Sequence, residues 1–144
     1  MEYTTEDTII DFNTMACLEE ANQKATELSN ISLKLSKDLK THQLLLKIKR
    51  DNTKINSDFG KLTKENLIII PKPIYHIYVN EDSINREQPD LYILKKLETE
   101  IKNQIVSLDS IEKNTQNIDF KLFAEQSKKT LEDNNEKLKT LLSN

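Results

Sequence analysis

The chain has 144 residues, of which 36% are hydrophobic and 31% are charged, with one glycine, no tryptophan and a net charge of −3. This apolar content is low for a compact globule and typical of amphipathic helices, whose apolar side is a narrow stripe. The single cysteine, Cys17, excludes an internal disulfide. We recognise neither a secretory leader nor a run of about 20 apolar residues, so we expect an intracellular protein, nuclear or cytoplasmic, without a membrane span.

Residues 1–13 are predicted to form an acidic, flexible arm. They carry four acidic side chains and no lysine or arginine, and their apolar residues are isolated. Asn13 or Thr14 is placed to cap the helix that follows.

Residues 14–65 are predicted to form the first amphipathic helical segment. The segment contains no proline, and apolar residues recur at steps of three and four, the spacing that keeps side chains on one helix face. This apolar seam weakens at Lys49 and Asn52, where polar positions can fix register and partner choice. Its members are Leu28, Ile31, Leu35, Leu39, His42, Leu46, Ile55, Phe59 and Leu62.

Residues 66–89 are predicted to form an extended connector. All three prolines lie here, each lacking an amide donor and each disfavouring a helical conformation in the residue before it. The densest β-branched and aromatic cluster of the chain also lies here, which favours an extended backbone. Such a segment needs cover in water. The cover is either a partner, which makes the connector our first candidate binding surface, or the chain's own helices.

Residues 90–142 are predicted to form the second amphipathic helical segment. Asp90 follows Pro89 at its start, where either a cap or a first-turn acid is favoured. Apolar residues again recur at steps of three and four, and the pattern slips near residues 119–126, which suggests a stutter or a short break. The seam comprises Leu94, Leu97, Ile101, Ile105, Leu108, Ile111, Thr115, Ile118 and Leu122.

These segments predict an all-α fold in which two long helices form an antiparallel coiled-coil hairpin, joined by the extended, apolar, proline-containing connector. Because both seams look wider than two helices need, we expect helices from other protein subunits to complete a three- or four-helix bundle. The candidate partner-binding residues are Leu67, Ile69, Ile74, Tyr75, Ile77, Tyr78, Tyr92, Leu28, Leu35, Leu46, Ile101 and Leu108.

We find no pattern that indicates catalysis. His42 and His76 have no second histidine or cysteine at metal-ligand spacing, and Cys17 lies in no motif with a histidine. One glycine cannot build a phosphate-binding loop. We therefore predict a protein that is not an enzyme, with no catalytic or metal site, no cofactor and no small-molecule substrate.

Nucleic-acid binding is the sharper alternative to a protein-interaction role. Residues 34–64 carry nine basic side chains against three acidic ones. The one Phe, Tyr or Trp among them, Phe59, belongs to the apolar seam, so no aromatic residue is left for base stacking and we favour protein partners. If the alternative holds, the affinity for duplex or single-stranded nucleic acid should fall steeply with salt and on charge reversal at Lys47, Lys49 and Arg50.

Several pieces around the connector resemble the middle of Mediator subunit 10. These are the Ile70-Pro71 step, the aromatic segment 74–79, Gln88-Pro89 and the Leu91-Tyr92 pair. The connector is longer than in that family and lacks the glycine and asparagine that precede its second proline. The resemblance implies a nuclear, non-enzymatic subunit of the transcriptional coactivator that bridges activators and RNA polymerase II.

Small coiled-coil subunits of lysosome-positioning, trafficking and kinetochore complexes are similar to this chain in size and in general sequence character. The functional expectation common to these families is a structural or scaffold subunit of a multi-protein helical complex.

Overall fold

The computed structural model describes residues 5–77 and 89–143, with side chains over 12–77 and 90–143. All regular structure in these residues is helical, which confirms the predicted all-α class. Four helices are present: α1 (Thr5–Leu35), α2 (Leu39–Glu65), α3 (Pro89–Asn114) and α4 (Ile118–Leu142). The first begins within the stretch predicted as an arm.

The predicted hairpin of two long helices is wrong, because each predicted segment folds back on itself. Breaks at residues 36–38 and 115–117 divide the segments into two helical hairpins, α1–α2 and α3–α4. The two hairpins pack together into a four-helix bundle. The chain therefore supplies from its own sequence the helices that we expected other subunits to contribute.

Asp38 defines the first break. Its backbone is extended, with φ −96° and ψ 132°, and its carboxylate accepts hydrogen bonds from the Thr41 amide and the Thr41 hydroxyl, both at 3.0 Å. These two bonds favour the charged form and lower the pKa of Asp38 below its ordinary value. The residue thus starts a new helix only three positions after α1 ends.

Asn117 defines the second break in the same way. Its side-chain oxygen accepts hydrogen bonds from the backbone amides of Asp119 at 2.9 Å and Phe120 at 3.1 Å. Its backbone amide donates to the Thr115 hydroxyl at 3.2 Å. We predicted a stutter or a short break around residues 119–126, and that stretch is helical throughout. The interruption lies just before it.

The two breaks also reset the helix phase, and this explains where the seam prediction fails. The predicted series continued from α1 through Leu39, His42 and Leu46, whereas α2 buries Thr41, Leu45 and Ile48. Leu39 and Leu46 are exposed, as are Ile118 and Leu122 beyond the second break. A constant step of three or four holds only within one uninterrupted helix.

The four helices form a ring in which every neighbouring pair is antiparallel. α1 packs against α2 and α3, and α4 packs against the same two helices. Phe59 on α2 stacks on Phe123 of α4 with ring centroids 5.7 Å apart. It follows that α2 and α3 lie across the diagonal and run in the same direction, so the end of α2 and the start of α3 lie at opposite ends of the bundle.

The core is continuous through the ring and closes without a second chain. Its fully buried side chains come from all four helices and include Leu18, Leu28, Leu45, Ile48, Phe59, Ile93, Leu97, Ile101, Leu108, Ile111, Phe120 and Leu131. Burying one such aliphatic or aromatic side chain contributes roughly 1.5–3 kcal/mol. The apolar surplus that suggested partner helices is thus covered inside this chain.

One level of the core is polar. Gln104 Nε2 on α3 donates hydrogen bonds to Asn22 Oδ1 on α1 at 2.6 Å and to Asn52 Oδ1 on α2 at 2.8 Å, and all three residues are fully buried. The Asn22 Nδ2, Asn52 Nδ2 and Gln104 Oε1 atoms have no partner. A layer of this kind costs stability and favours one alignment of the helices over others.

Candidate partner-binding surface

The connector leaves α2 through a tight helix-ending motif. The Leu67 amide donates to the Lys64 carbonyl at 3.1 Å and the Ile68 amide to the Thr63 carbonyl at 2.8 Å, the hydrogen-bond pattern of a Schellman motif. That motif needs a left-handed residue, and Leu67 occupies the position with φ 57°. Glycine is usual there, because a β-carbon costs roughly 1–2 kcal/mol in this conformation.

Beyond this motif, residues 68–77 form neither helix nor strand, and their side chains alternate between bundle and solvent. Alternation of this kind is typical of an extended chain lying on a surface. The alternation changes phase once, at Pro71. On each side of Pro71, one row of side chains faces the bundle and the other faces solvent. We define the inner row as Ile68, Ile70, Pro73, Tyr75 and Ile77, and the outer row as Leu67, Ile69, Lys72, Ile74 and His76.

The inner row anchors the connector to the bundle. Ile68, Ile70 and Ile77 pack against the core cluster. The Tyr75 hydroxyl donates a hydrogen bond to Glu27 Oε2 on α1 at 2.9 Å, and its ring lies under the Lys24 ammonium, 5.5 Å from the centroid. Burial, together with the bond to Glu27, raises the pKa of Tyr75 to about 12.

The outer row carries three large aliphatic side chains with almost no contact to the rest of the protein. Leu67 is 90% exposed, Ile69 is 85% exposed and Ile74 is 99% exposed. Isolated exposed apolar residues are ordinary on proteins, but three in one short extended stretch are typical of interaction sites. Because so little of their surface is buried, these side chains add little to the stability of the bundle.

The backbone along these rows is also unpaired. Within the described part of the chain, no backbone hydrogen bond is made by residues 69–77. Pro71 and Pro73 have no amide hydrogen to offer. The remaining amide and carbonyl groups are satisfied by water alone or by a partner.

The charges beside the outer row are mainly positive. Lys61, Lys64 and Lys72 are exposed and form no ion pair with a described residue. The acids near them in sequence are Glu65 and Asp58, and Asp58 pairs with Lys54. A shallow groove of about 410 Å³ places Lys64 beside Leu67 and Ile69, with Thr63 and Ile68 at its base. The surface is therefore aliphatic with a basic border.

The remaining predicted partner-binding residues fall in three kinds of place. Leu28, Ile101 and Leu108 are buried in the core, where they pack on helices of the same chain. Leu35 and Tyr92 are half-buried, Tyr92 lying under the Lys96 ammonium at 5.4 Å, and Leu46 is exposed on α2. Tyr78 lies outside the described residues.

Our sequence reasoning did not separate the outer row from the inner one, and it did not single out Lys72 or His76. The signal was present, since alternate residues of an extended segment point to opposite sides. The phase shift at Pro71 could not be located from composition. For that reason Tyr75 and Ile77 were grouped with Ile69 and Ile74, although they face the bundle.

The basic segment is only partly available to an external ligand. Lys47 donates to Asn134 Oδ1 on α4 at 2.6 Å and to Asp51 Oδ2 at 2.9 Å, and it lies 3.6 Å from Asp133. It therefore joins α2 to α4. Arg50, Lys54, Lys61 and Lys64 are exposed at helical spacing along one outer face of α2.

Among the described residues, no group of three histidine, cysteine or acidic side chains is arranged to hold a metal ion, and no helix is long and apolar enough to cross a membrane. The fold places the protein in the class of all-α four-helix bundles, with a long crossover connector. Comparisons with protein-family models, curated proteins and solved structures found no match. The resemblance to Mediator subunit 10 stays a prediction.

Proposed function

We propose that the protein is a non-enzymatic structural subunit of a multi-protein helical complex and that it engages its partner through the outer row. The observation that carries this proposal is Leu67. Its side chain is 90% exposed and its backbone is left-handed, so the fold gains little from the side chain and loses stability through the β-carbon. A strained, exposed aliphatic residue is more readily explained by binding than by folding.

The closed core places the proposed partner elsewhere than the sequence analysis expected. Helices from other chains are not needed to cover the seams, so the partner is placed outside the bundle, along the connector. The resemblance to Mediator subunit 10 favours a nuclear coactivator as the complex to examine first. Lysosome-positioning, trafficking and kinetochore complexes are the alternatives with similar small helical subunits.

The test is recovery of the tagged chain with its partners from native extract. The wild-type protein should bring down identified partners in stoichiometric amount, and the variant Leu67→Gly/Ile69→Ser/Ile74→Ser should lose them while keeping its helical circular dichroism. The matched control is Val106→Ser, which removes an aliphatic side chain that is 68% exposed on α3 rather than on the connector. Wild-type protein that emerges alone, or partners retained by the triple variant, would count against the proposal.

The exposed basic face of α2 favours one second candidate, an adaptor for nucleic acid. Charge reversal at Arg50, Lys61 and Lys64 should then abolish binding to duplex or single-stranded DNA, and binding should weaken steeply with salt. Reversal at Lys47 is a poor test, because it also breaks the contact to Asn134. No binding at low salt would eliminate this candidate.

A further inference from the structure

The two edges of the connector differ in their capacity to pair with another strand. In an extended chain, residues on one side of the backbone direct their amide and carbonyl groups to the same edge. The outer-row residues Lys72, Ile74 and His76 therefore share one edge, and all three have amide hydrogens. The other edge belongs to the inner row and includes Pro73, which has none. The inner-row edge therefore lacks one donor for strand pairing, whereas the edge of Lys72, Ile74 and His76 has all of its donors. We call the latter the open edge.

The open edge carries side chains suited to an added strand. The Ile74 side chain points to solvent beside this edge, and the exposed Ile69 and Leu67 side chains lie nearer the end of α2. Backbone pairing of this kind supplies affinity, and alternate side chains supply specificity. Because the inner row is anchored by Tyr75 and by three packed isoleucines, the edge is already held extended, which reduces the ordering cost of binding.

The bordering charges select the chemistry of the added strand. Lys64 lines the groove beside Leu67 and Ile69, Lys61 precedes it by one turn of α2, and Lys72 belongs to the outer row itself. A strand with acidic side chains would neutralise these lysines. A second copy of the connector would instead bring the same lysines together, so self-pairing is disfavoured.

We propose that the open edge of residues 72–76 accepts an extended, acidic peptide segment of a partner protein as an added β-strand, in which aliphatic and acidic residues take turns along the face that the strand shares with the outer row. This proposal rests on the proposed function and names the chemistry of the partner. The partner's aliphatic residues lie against Ile69 and Ile74, and its carboxylates face Lys64 and Lys72.

The test uses the full chain and a labelled synthetic peptide with the repeat valine–threonine–glutamate–threonine, which places valine and glutamate in turn on one face of a strand. The peptide should bind with an anisotropy change that weakens as salt rises, and a peptide with lysine in place of each glutamate should not bind. The double variant Ile69→Ser/Ile74→Ser should lower affinity at least about tenfold, since one buried aliphatic side chain contributes roughly that factor. The variant Lys64→Glu/Lys72→Glu should reverse the preference between the two peptides.

Two matched variants isolate the backbone contribution. Ile74→Ser removes the side chain and keeps the amide hydrogen, whereas Ile74→Pro removes both. Ile74→Pro should therefore bind more weakly than Ile74→Ser, and an N-methylated valine–glutamate peptide should not bind the wild-type chain. Circular dichroism checks that both variants keep the bundle.

Equal affinity for the two peptides, equal binding by Ile74→Pro and Ile74→Ser, or self-association through the connector would each overturn the strand proposal. Binding of duplex DNA in place of the acidic peptide would overturn it as well. If cellular partners are lost by the outer-row triple variant although no peptide binds, strand addition fails and the proposed function stands. If the wild-type chain recovers no partner at all, the proposed function itself fails.

Discussion

Gln104 on α3 donates a hydrogen bond to Asn52 on α2, the diagonally opposite helix, at 2.8 Å through the centre of the bundle. The same amide nitrogen donates to Asn22 on α1 at 2.6 Å, so three of the four helices meet at one polar level. Both hairpins contribute to this level. It therefore ties the α1–α2 hairpin to the α3–α4 hairpin in one alignment.

Because of this polar level, we expect the single substitution Gln104→Met to lower the free energy of unfolding more than replacement of all three polar residues does. Gln104→Met removes the donor to Asn22 Oδ1 and Asn52 Oδ1 and leaves both oxygens buried without a partner, which should lower the free energy of unfolding by roughly 2–5 kcal/mol in total. The triple variant Asn22→Leu/Asn52→Leu/Gln104→Met removes every polar group of the level. Its free energy of unfolding should equal or exceed that of the wild type. Urea denaturation measures both.

The control for this comparison is Asn103→Ala, one residue before Gln104 but exposed, which should change stability by less than about 0.5 kcal/mol. A triple variant less stable than Gln104→Met would contradict the account. It would mean that the hydrogen bonds of this level stabilise the bundle more than apolar side chains would in the same positions.

Helix content and much of the core could be predicted from sequence, whereas the number of helices could not. Within α3 the step of three and four correctly identified Leu97, Ile101 and Leu108, because no break interrupts it. The two breaks depend on single capping residues, Asp38 and Asn117. Such residues occur on exposed helix faces as well, and only the packing of the resulting hairpins decides between the two outcomes.

The candidate site was predictable to a similar extent. Prolines and β-branched residues identify the connector, and they led us to Leu67, Ile69 and Ile74. The left-handed conformation of Leu67 could not be foreseen, because leucine is rare in that region and no glycine marks the end of α2. Such a local conflict between residue and backbone is expected at functional sites.

The second prediction concerns the cap of α4. Asn117→Ala removes the side-chain oxygen that accepts from the Asp119 and Phe120 amides, and the bond from its Nδ2 to Asn66 Oδ1 at 3.1 Å. The free energy of unfolding should fall by about 1 kcal/mol. The neighbouring Gln116 is exposed and caps nothing, so Gln116→Ala should leave stability unchanged within about 0.5 kcal/mol. Equal effects of the two changes would show that capping does not determine this break.

The third prediction separates folding from binding at Leu67. Leu67→Gly should raise the free energy of unfolding by about 1 kcal/mol, because glycine adopts the left-handed conformation without a steric cost. Leu67→Ala keeps the β-carbon, so it should leave stability nearly unchanged. Both variants should lose partner recovery, since both lack the exposed side chain. A loss of stability in Leu67→Gly would show that the side chain supports the fold.

The fourth prediction uses the pKa of Tyr75, which burial and the bond to Glu27 raise from 10.0 to about 12. A raised pKa means that the fold favours the protonated phenol. This contribution to stability is fully present below the ordinary pKa of 10.0 and is lost as the pH rises through about 12. Tyr75→Phe has no proton to lose, so the stability of the wild type should fall relative to that variant across this range.

Phenolate absorbance checks the same group directly. The wild-type chain should show an ionisation step near pH 12 that is absent from Tyr75→Phe. Glu27→Gln removes the nearby negative charge but leaves the ring half-buried, so it should lower the pH of that step without returning Tyr75 fully to its ordinary value. If Tyr75 ionised at its ordinary pH in the folded chain, its hydroxyl would not be held against α1. The inner row would then lack the anchor that keeps the outer row extended for a partner.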